Sequence, residues 1–354
     1  MKIFYKKRVL QIFVVAVILI VPIPLLNYLV DPYWCFDHEI LIGRYQAGFD
    51  ERQQKTNFLT FNKGAFDTLI LGSSRLTYTD TRDVPGRAFN FATSSMRSKE
   101  FLPYLRFASE RNAQPFSTVI LGLSFYETNE ANLETFSPPE EYIKNAASPG
   151  YRYRTLFSMS LLRRTLSNIM LDLLAKDRNN LYEREGRGVF VKQLHLPIPK
   201  ETLRSAIAAN VATYRDKVYG RTYVYLDLRP TFTELKETFP DTRFIVFTTP
   251  VSSHLLRLLV EEGRLDDYTR WISGLVEVFG EVWNFMYFND VTDDDFNYKD
   301  AHHYSPHVCR AIIRKAYGLP RDDEFEEFGV KVTPENLEEH LAFLRANLTG
   351  QGSD

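Results

Sequence analysis

The chain has 354 residues, 44% apolar and 25% charged, a globular mixture that excludes a disordered chain. Lys+Arg 43 against Asp+Glu 45 leaves a net charge of −2, so no basic field is offered and no nucleic-acid partner is expected. Two cysteines, Cys35 and Cys309, exclude a disulfide scaffold and a four-cysteine zinc site.

The N-terminus is read first. Lys2, Lys6, Lys7 and Arg8 form a basic cap over residues 1–8, and the 22 residues from Val9 to Val30 carry no charge. At ~1.5 Å rise per residue such a helix reaches about 33 Å, against a hydrocarbon core of ~30 Å. No small-residue cleavage site follows, since the exit reads Asn27-Tyr28-Leu29-Val30-Asp31-Pro32. The expectation is one transmembrane signal anchor over 9–30, weakened locally by Pro22 and Pro24. The positive-inside rule then places residues 1–8 in the cytoplasm and the remainder outside it. Tyr28, Tyr33 and Trp34 suit an aromatic belt.

Residues 31–63 read as a membrane-proximal connection. From there the pattern is α/β. Phe66–Leu71, Arg87–Ala92 and Ser117–Leu123 are candidate strands, with a helix over Ser98–Arg111 between the second and third. Leu156–Ala175 reads as an amphipathic helix inside a helical insertion over about 131–220, and residues 177–200, with Gly186 and Gly188, as a loop. The rhythm returns with a helix at Leu226–Phe239, a strand at Thr242–Thr248, one or two helices over His254–Phe279 and a strand at Val282–Phe285. Ser305, Pro306 and Gly318 fit the N-cap, first position and stop of a helix, and Thr333-Pro334 begins a last helix in a tail over 319–354. Strands alternating with helices predict parallel βαβ units.

In such sheets, sites form outside the carboxyl ends of strands. Gly72-Ser73-Ser74-Arg75 follows the first strand, and Asp300-Ala301-His302-His303 follows the last. A serine on a tight turn, a histidine as base and an aspartate as its orienter make an acyl-transfer triad. Asp300/His303 is the only Asp-x-x-His in the chain. The competing reading makes Ser73 and Ser74 simple helix caps, with either serine still available as nucleophile. Arg75 is a solvated helix residue or a clamp for an anionic substrate group, Asn90 a strand-end cap or a site residue, and His302 a neighbour without a role. Asp293-Asp294-Asp295, His302, His303 and His307 crowd the same stretch, but the acidic run lacks the glycine and alternation of a calcium loop, so no metal and no other cofactor is expected.

These blocks resemble the SGNH (GDSL-like) hydrolase superfamily over roughly residues 64–130 and 240–318. Gly72-Ser73-Ser74 is similar to its first block with Ser74 as nucleophile, Phe89–Ser95 to its second, Gly122-Leu123-Ser124-Phe125 to its third, and Asp300/His303 to its last. Ser73 stands where the family has Asp, Ser95 where it has Gly and Ser124 where it has Asn. The resemblance implies a three-layer α/β sandwich with a central parallel sheet (SGNH-like, flavodoxin-like) over 64–318, and an oxyanion hole from Ser95, Ser124 and Asn90. With the N-terminal anchor, the chain looks most like the membrane-anchored subgroup that helps add acetyl groups to alginate and D-alanine to lipoteichoic acid. That likeness implies a serine esterase or O-acyltransferase at the cytoplasmic membrane, with an envelope polysaccharide or similar polymer as substrate and a membrane-bound acyl-donor protein as a further partner. Two other readings stand beside it. One is a catalytically degraded domain that binds glycan or serves an envelope export or modification complex. The other is a metal-dependent esterase using the Asp/His cluster.

Overall fold

The computed structural model describes residues 2–62, 64–131, 136–174, 180–185, 188–194, 197–320, 325 and 327–350. Its strands in chain order are β1 (Tyr45–Ala47), β2 (Thr68–Gly72), β3 (Ala88–Asn90), β4 (Thr118–Leu123), β5 (Leu181–Glu185), β6 (Gly188–Lys192), β7 (Arg243–Thr248), β8 (Val282–Asn284) and β9 (Val330–Val332). The chain divides into two compact units, Met1–Gly64 with Glu140–Phe190, and Ala65–Pro139 with Val191–Asp354.

The second unit is α/β. Its six strands lie in the order β3-β2-β4-β7-β8-β9. The first five are mutually parallel, while β9 runs antiparallel to β8. The sheet is therefore mixed and mostly parallel. The all-parallel expectation fails at β9, a three-residue Val-Lys-Val segment too short to register as a strand in the sequence. Residues beyond 319 thus complete the sheet, and the last helix, Leu337–Gly350, starts after the turn at Thr333.

Leu69, Ile70 and Leu71 of β2, and Val119, Ile120 and Leu121 of β4, are fully buried, as central strands covered on both faces must be. Because side chains alternate, Ile70, Ile120 and Ile245 share one face. They pack with Val308, Ile312 and Ile313 of the helix Pro306–Tyr317 in one apolar cluster. That helix begins and ends as its sequence suggests. Ser305 Oγ accepts from the Val308 N–H, Pro306 occupies the first turn, and Gly318 closes it at φ 67°. Taken in chain order the sheet runs second, first, third, fourth, fifth, so the direction of winding reverses between β2 and β4. A crevice outside the carboxyl ends of those two strands is the place this topology prepares for a ligand.

In the first unit β1 pairs antiparallel with β5, and β6 adjoins β5. Two strands therefore stand where residues 177–200 suggest a loop; Gly186 and residues 177–179, 187, 195 and 196 lie outside the described residues. Asp31 and Arg184 form a buried ion pair, with the Cys35 and Phe36 N–H groups also donating to the Asp31 carboxylate. The single helix expected over 9–30 is instead two, Lys2–Ile20 and Pro22–Val30, divided at Val21. Pro22 and Pro24 have no N–H to give the preceding turn. Among the described residues, no helix is long and apolar enough to cross a membrane.

Candidate active site

The site is built on the ends of β2 and β4. Gly72 closes β2, Ser73 is extended (φ −77°, ψ −172°), and a 3-10 turn runs from Ser74 to Leu76. The turn can fold back because two paired glycines, Gly72 and Gly122, leave room for Leu76. A Cβ on Gly72 would lie 2.9 Å from Leu76 Cδ2 and 3.0 Å from the Gly122 carbonyl, and one on Gly122 would collide with the same leucine. Asn90 holds the turn from β3: its Nδ2 donates to the carbonyls of Leu76 and Thr79, and its Oδ1 accepts from the Ala92 N–H. Ser73, at the cap position, makes no side-chain cap bond to the turn.

The opposing side is a hairpin closed by a bridge between Tyr298 and Tyr304. Asp300 shapes its tip, since Oδ1 accepts from the His302 and His303 N–H groups at 3.0 and 2.9 Å. Asp300 Oδ2 lies 2.7 Å from His303 Nδ1, and His303 Nε2 lies 2.8 Å from Ser74 Oγ. A carboxylate only accepts, so Nδ1 carries the ring proton and Nε2 accepts from the Ser74 hydroxyl. The three expected catalytic residues are therefore joined in the expected order.

The electrostatics agree with that order. Burial raises the Asp300 carboxyl, but the His303 hydrogen bond, the charges of His303 and His302 and the His302 N–H together hold it well below the usual range. Burial lowers the His303 imidazole; Asp300 opposes this, while Lys299 and Arg75 add to it. The net depression favours the neutral ring that can accept a proton.

The other expected residues fall differently. Ser73 is 1% exposed and its Oγ has no hydrogen-bond partner among the described residues, so it is not placed to exchange a proton with His303. Ser95 sits in the turn after β3 at φ 51°, a left-handed conformation that glycine adopts most easily. That turn opens where the Thr93 N–H reaches the Gly72 carbonyl, alongside the serines. Ser124 is buried, with its Oγ 2.8 Å from Thr249 Oγ1. The Asn90 amide is engaged by backbone groups, making it a brace for the nucleophile turn and not an oxyanion donor. Arg75 is neither solvated nor an open clamp. It is 1% exposed, with Nη1 donating to Thr249 Oγ1 and Nη2 to Tyr214 Oη, both at 2.8 Å.

Four residues that no motif marks complete the surroundings. Tyr78 stands edge-on to His303, with ring centroids 6.3 Å apart, and accepts from Lys299 Nζ at 3.0 Å. Tyr214 packs against His302, which in turn lies 4.1 Å from the His303 ring. Thr249 had a readable signal, since it directly follows β7 just as Ser73 follows β2.

Asp300, His302 and His303 also bring ligand-type atoms within 4.8 Å of one another. Both His303 nitrogens and both Asp300 oxygens already have hydrogen-bond partners, which leaves this trio poorly suited to a metal. Of the neighbouring acids, Asp294 caps the Phe296 N–H and Asp295 meets His254 at 3.0 Å. His307 bonds Asn297 and Ser305.

No family model matches the chain, and no curated protein matches it.

Proposed function

We propose that the chain is an SGNH-like serine esterase or O-acyltransferase, held at the cytoplasmic membrane and acting outside it on acyl esters of an envelope polysaccharide or related polymer. The observation that carries this is the continuous chain from Ser74 through His303 to Asp300, at 2.8 and 2.7 Å. The winding reversal between β2 and β4 supports the finer fold reading, a three-layer SGNH-like sandwich.

In this mechanism Ser74 Oγ attacks the acyl carbonyl carbon while its proton passes to His303 Nε2. Asp300 holds the ring and offsets the imidazolium charge. The C–O bond to the leaving alcohol breaks, and His303 returns the proton to that oxygen, leaving the acyl group on Ser74. Water or a sugar hydroxyl then gives its proton to His303 and attacks the acyl-serine, and the released Ser74 oxygen is reprotonated. Water gives hydrolysis; a hydroxyl of the polymer gives transfer, with the acyl group delivered by a membrane-bound donor protein.

The attachment reading rests on the helix Lys2–Ile20, where Val9, Leu10, Ile12, Phe13 and Ile18 are all more than half exposed. Apolar surface of that extent needs a partner, and basic residues ahead of it suit the cytoplasmic face of a bilayer. An intact proton relay argues against the degraded, purely binding alternative.

The test is a deletion strain complemented with the wild-type or the Ser74→Ala chain. Ester-linked acyl content of an envelope polymer is expected to change on deletion and to be restored by wild type only. Unchanged acyl content in every envelope fraction contradicts the proposal.

A further inference from the structure

The helix Met159–Leu174, in the first unit, has three distinct faces. Leu161, Thr165 and Asn168 are buried, at the spacing of a single helical face. Hydrogen bonds fix that face. Asn168 Oδ1 accepts from the Ala47 N–H at 3.2 Å, and Asp172 Oδ2 from the Gly43 and Arg44 N–H groups at 3.2 and 3.3 Å. A second face carries Ser160, Arg163, Arg164 and Ser167, all exposed. On the third, Met159, Leu162, Leu166, Met170 and Leu173 recur every three or four residues. Leu162 is half-buried, but Met159, Leu166, Met170 and Leu173 are 60, 48, 54 and 72% exposed. A contiguous apolar stripe left open in this way marks a contact surface.

The neighbouring helix narrows what the stripe meets. Asn27 is a buried amide inside the uncharged run from Val9 to Val30. Its Nδ2 donates to the Leu156 and Ser158 carbonyls at 2.8 and 3.3 Å, and its Oδ1 accepts from Thr165 Oγ1 at 2.6 Å. An amide among apolar groups is costly unless it is partnered, so these bonds pin Pro22–Val30 to Met159–Leu174. Packed helices lie about 8–10 Å apart, close to the depth an interfacial helix reaches into a bilayer. A bilayer that takes up the exposed side chains of Lys2–Ile20 and Leu25 is therefore within reach of the stripe.

Charge points the same way. The whole chain has a net charge of −2, yet residues 151–174 carry Arg152, Arg154, Arg163 and Arg164 against a single acid, Asp172, which is held by backbone N–H groups. An apolar stripe flanked by arginines is the pattern of a helix lying in the plane of an anionic lipid surface. Tyr28 and Tyr153, both exposed and both against the Phe36 ring, supply aromatic groups suited to the headgroup level.

We propose that Met159–Leu174 is a second membrane-contacting element, lying in the bilayer interface with Met159, Leu166, Met170 and Leu173 among the acyl chains and its arginines against anionic phospholipid headgroups. This rests on the membrane attachment proposed above. It also accounts for an asparagine in the apolar N-terminal run, because Asn27 is the bond between the two membrane-facing helices.

The experiment places a spin label at single added cysteines in the full-length chain, bound to vesicles of phosphatidylcholine and phosphatidylglycerol and recovered with them by flotation. Leu166→Cys, Met170→Cys and Leu173→Cys sample the stripe; Ser160→Cys and Ser167→Cys sample the polar face. All five positions are at the surface, and the parent chain, whose Cys35 and Cys309 are buried, gives the background. Collisions with oxygen, which concentrates in lipid, are compared with collisions with a water-soluble nickel chelate. The three stripe labels should favour oxygen several-fold more than the two serine positions do. Stripe labels as open to nickel as the serine positions, on chain that floats with the vesicles, overturn the proposal and leave attachment through the N-terminal helix standing. Stripe labels shielded from both reagents also overturn it, because protein and not lipid then covers the stripe. A full-length chain that does not float with vesicles overturns the attachment reading itself, and this inference with it.

Discussion

Ser74 Oγ lies 2.8 Å from His303 Nε2, although 229 residues separate the two in the chain. The contact exists because two turns at the carboxyl edge of one sheet converge. One is a glycine-permitted 3-10 turn after β2, the other a hairpin whose tip is folded around the Asp300 carboxylate.

The first prediction concerns unequal losses in esterase activity on a small acetyl ester. Ser74→Ala should abolish it, and His303→Ala should cost on the order of a million-fold, as removal of a triad base does elsewhere. Asp300→Asn should cost about ten-thousand-fold, since it leaves a base in place with the wrong tautomer. Ser73→Ala should retain most activity. Equal and slight losses in all four would contradict a triad centred on Ser74.

Much of this edge was legible in the sequence. Thr-Leu-Ile-Leu-Gly and Thr-Val-Ile-Leu-Gly-Leu announce central strands by unbroken apolar runs, and Ser305-Pro306 with Gly318 brackets a helix by capping chemistry. Ser74, Asp300 and His303 stood out because each follows or precedes such an element. Arg75 was misread because charge suggests exposure, whereas its two partners come from residues 139 and 174 positions away. Of the two readings of Asn90, strand-end cap or site residue, the first fits its partners, which are carbonyls of the intervening turn. Residues 188–192 were read as loop because glycine and polar residues dominate the flanks, and the pairing that makes them a strand is tertiary.

A second prediction concerns Gly122. Its side-chain hydrogen faces Leu76 so closely that a methyl group cannot be added without moving that leucine. Gly122→Ala should destabilise the chain by about 1–3 kcal/mol, the usual cost of overpacking. It should also slow Ser74 chemistry, because Leu76 ends the turn that carries the nucleophile. Thermal melts and ester hydrolysis on the same variant check both; an unchanged melt would contradict the packing account.

Acid should destabilise the folded chain, and His340 sets one window for it. Burial lowers its imidazole to about 4, and the Asn284 amide donates to its Nε2, which must be unprotonated to accept. The unfolded chain takes up this proton near pH 6.5. The contribution is therefore present above about pH 6.5 and is lost as pH falls toward about 4. Denaturant midpoints across that window should fall less steeply in His340→Gln. A steeper fall in the variant would contradict the assignment.

His303 shares the sign of that effect and transmits it to function. Its ring is depressed by burial and by Lys299 and Arg75. Ester hydrolysis should therefore persist below about pH 6.5, where an ordinary histidine is more than half protonated, and decline only as pH falls through the lower value. Lys299→Gln should move that decline toward higher pH, by removing one of the charges that oppose protonation. Movement toward lower pH would contradict the electrostatic reading.

The central claim, that Ser74 is an activated nucleophile, is tested most directly by locating a covalent adduct. Full-length protein is treated with a fluorophosphonate and the modified residue is identified by peptide mass spectrometry. The account predicts a single adduct on Ser74, absent in Ser74→Ala, strongly reduced in His303→Ala and retained in Ser73→Ala. An adduct on Ser73, or no adduct at all on properly folded protein, would contradict it.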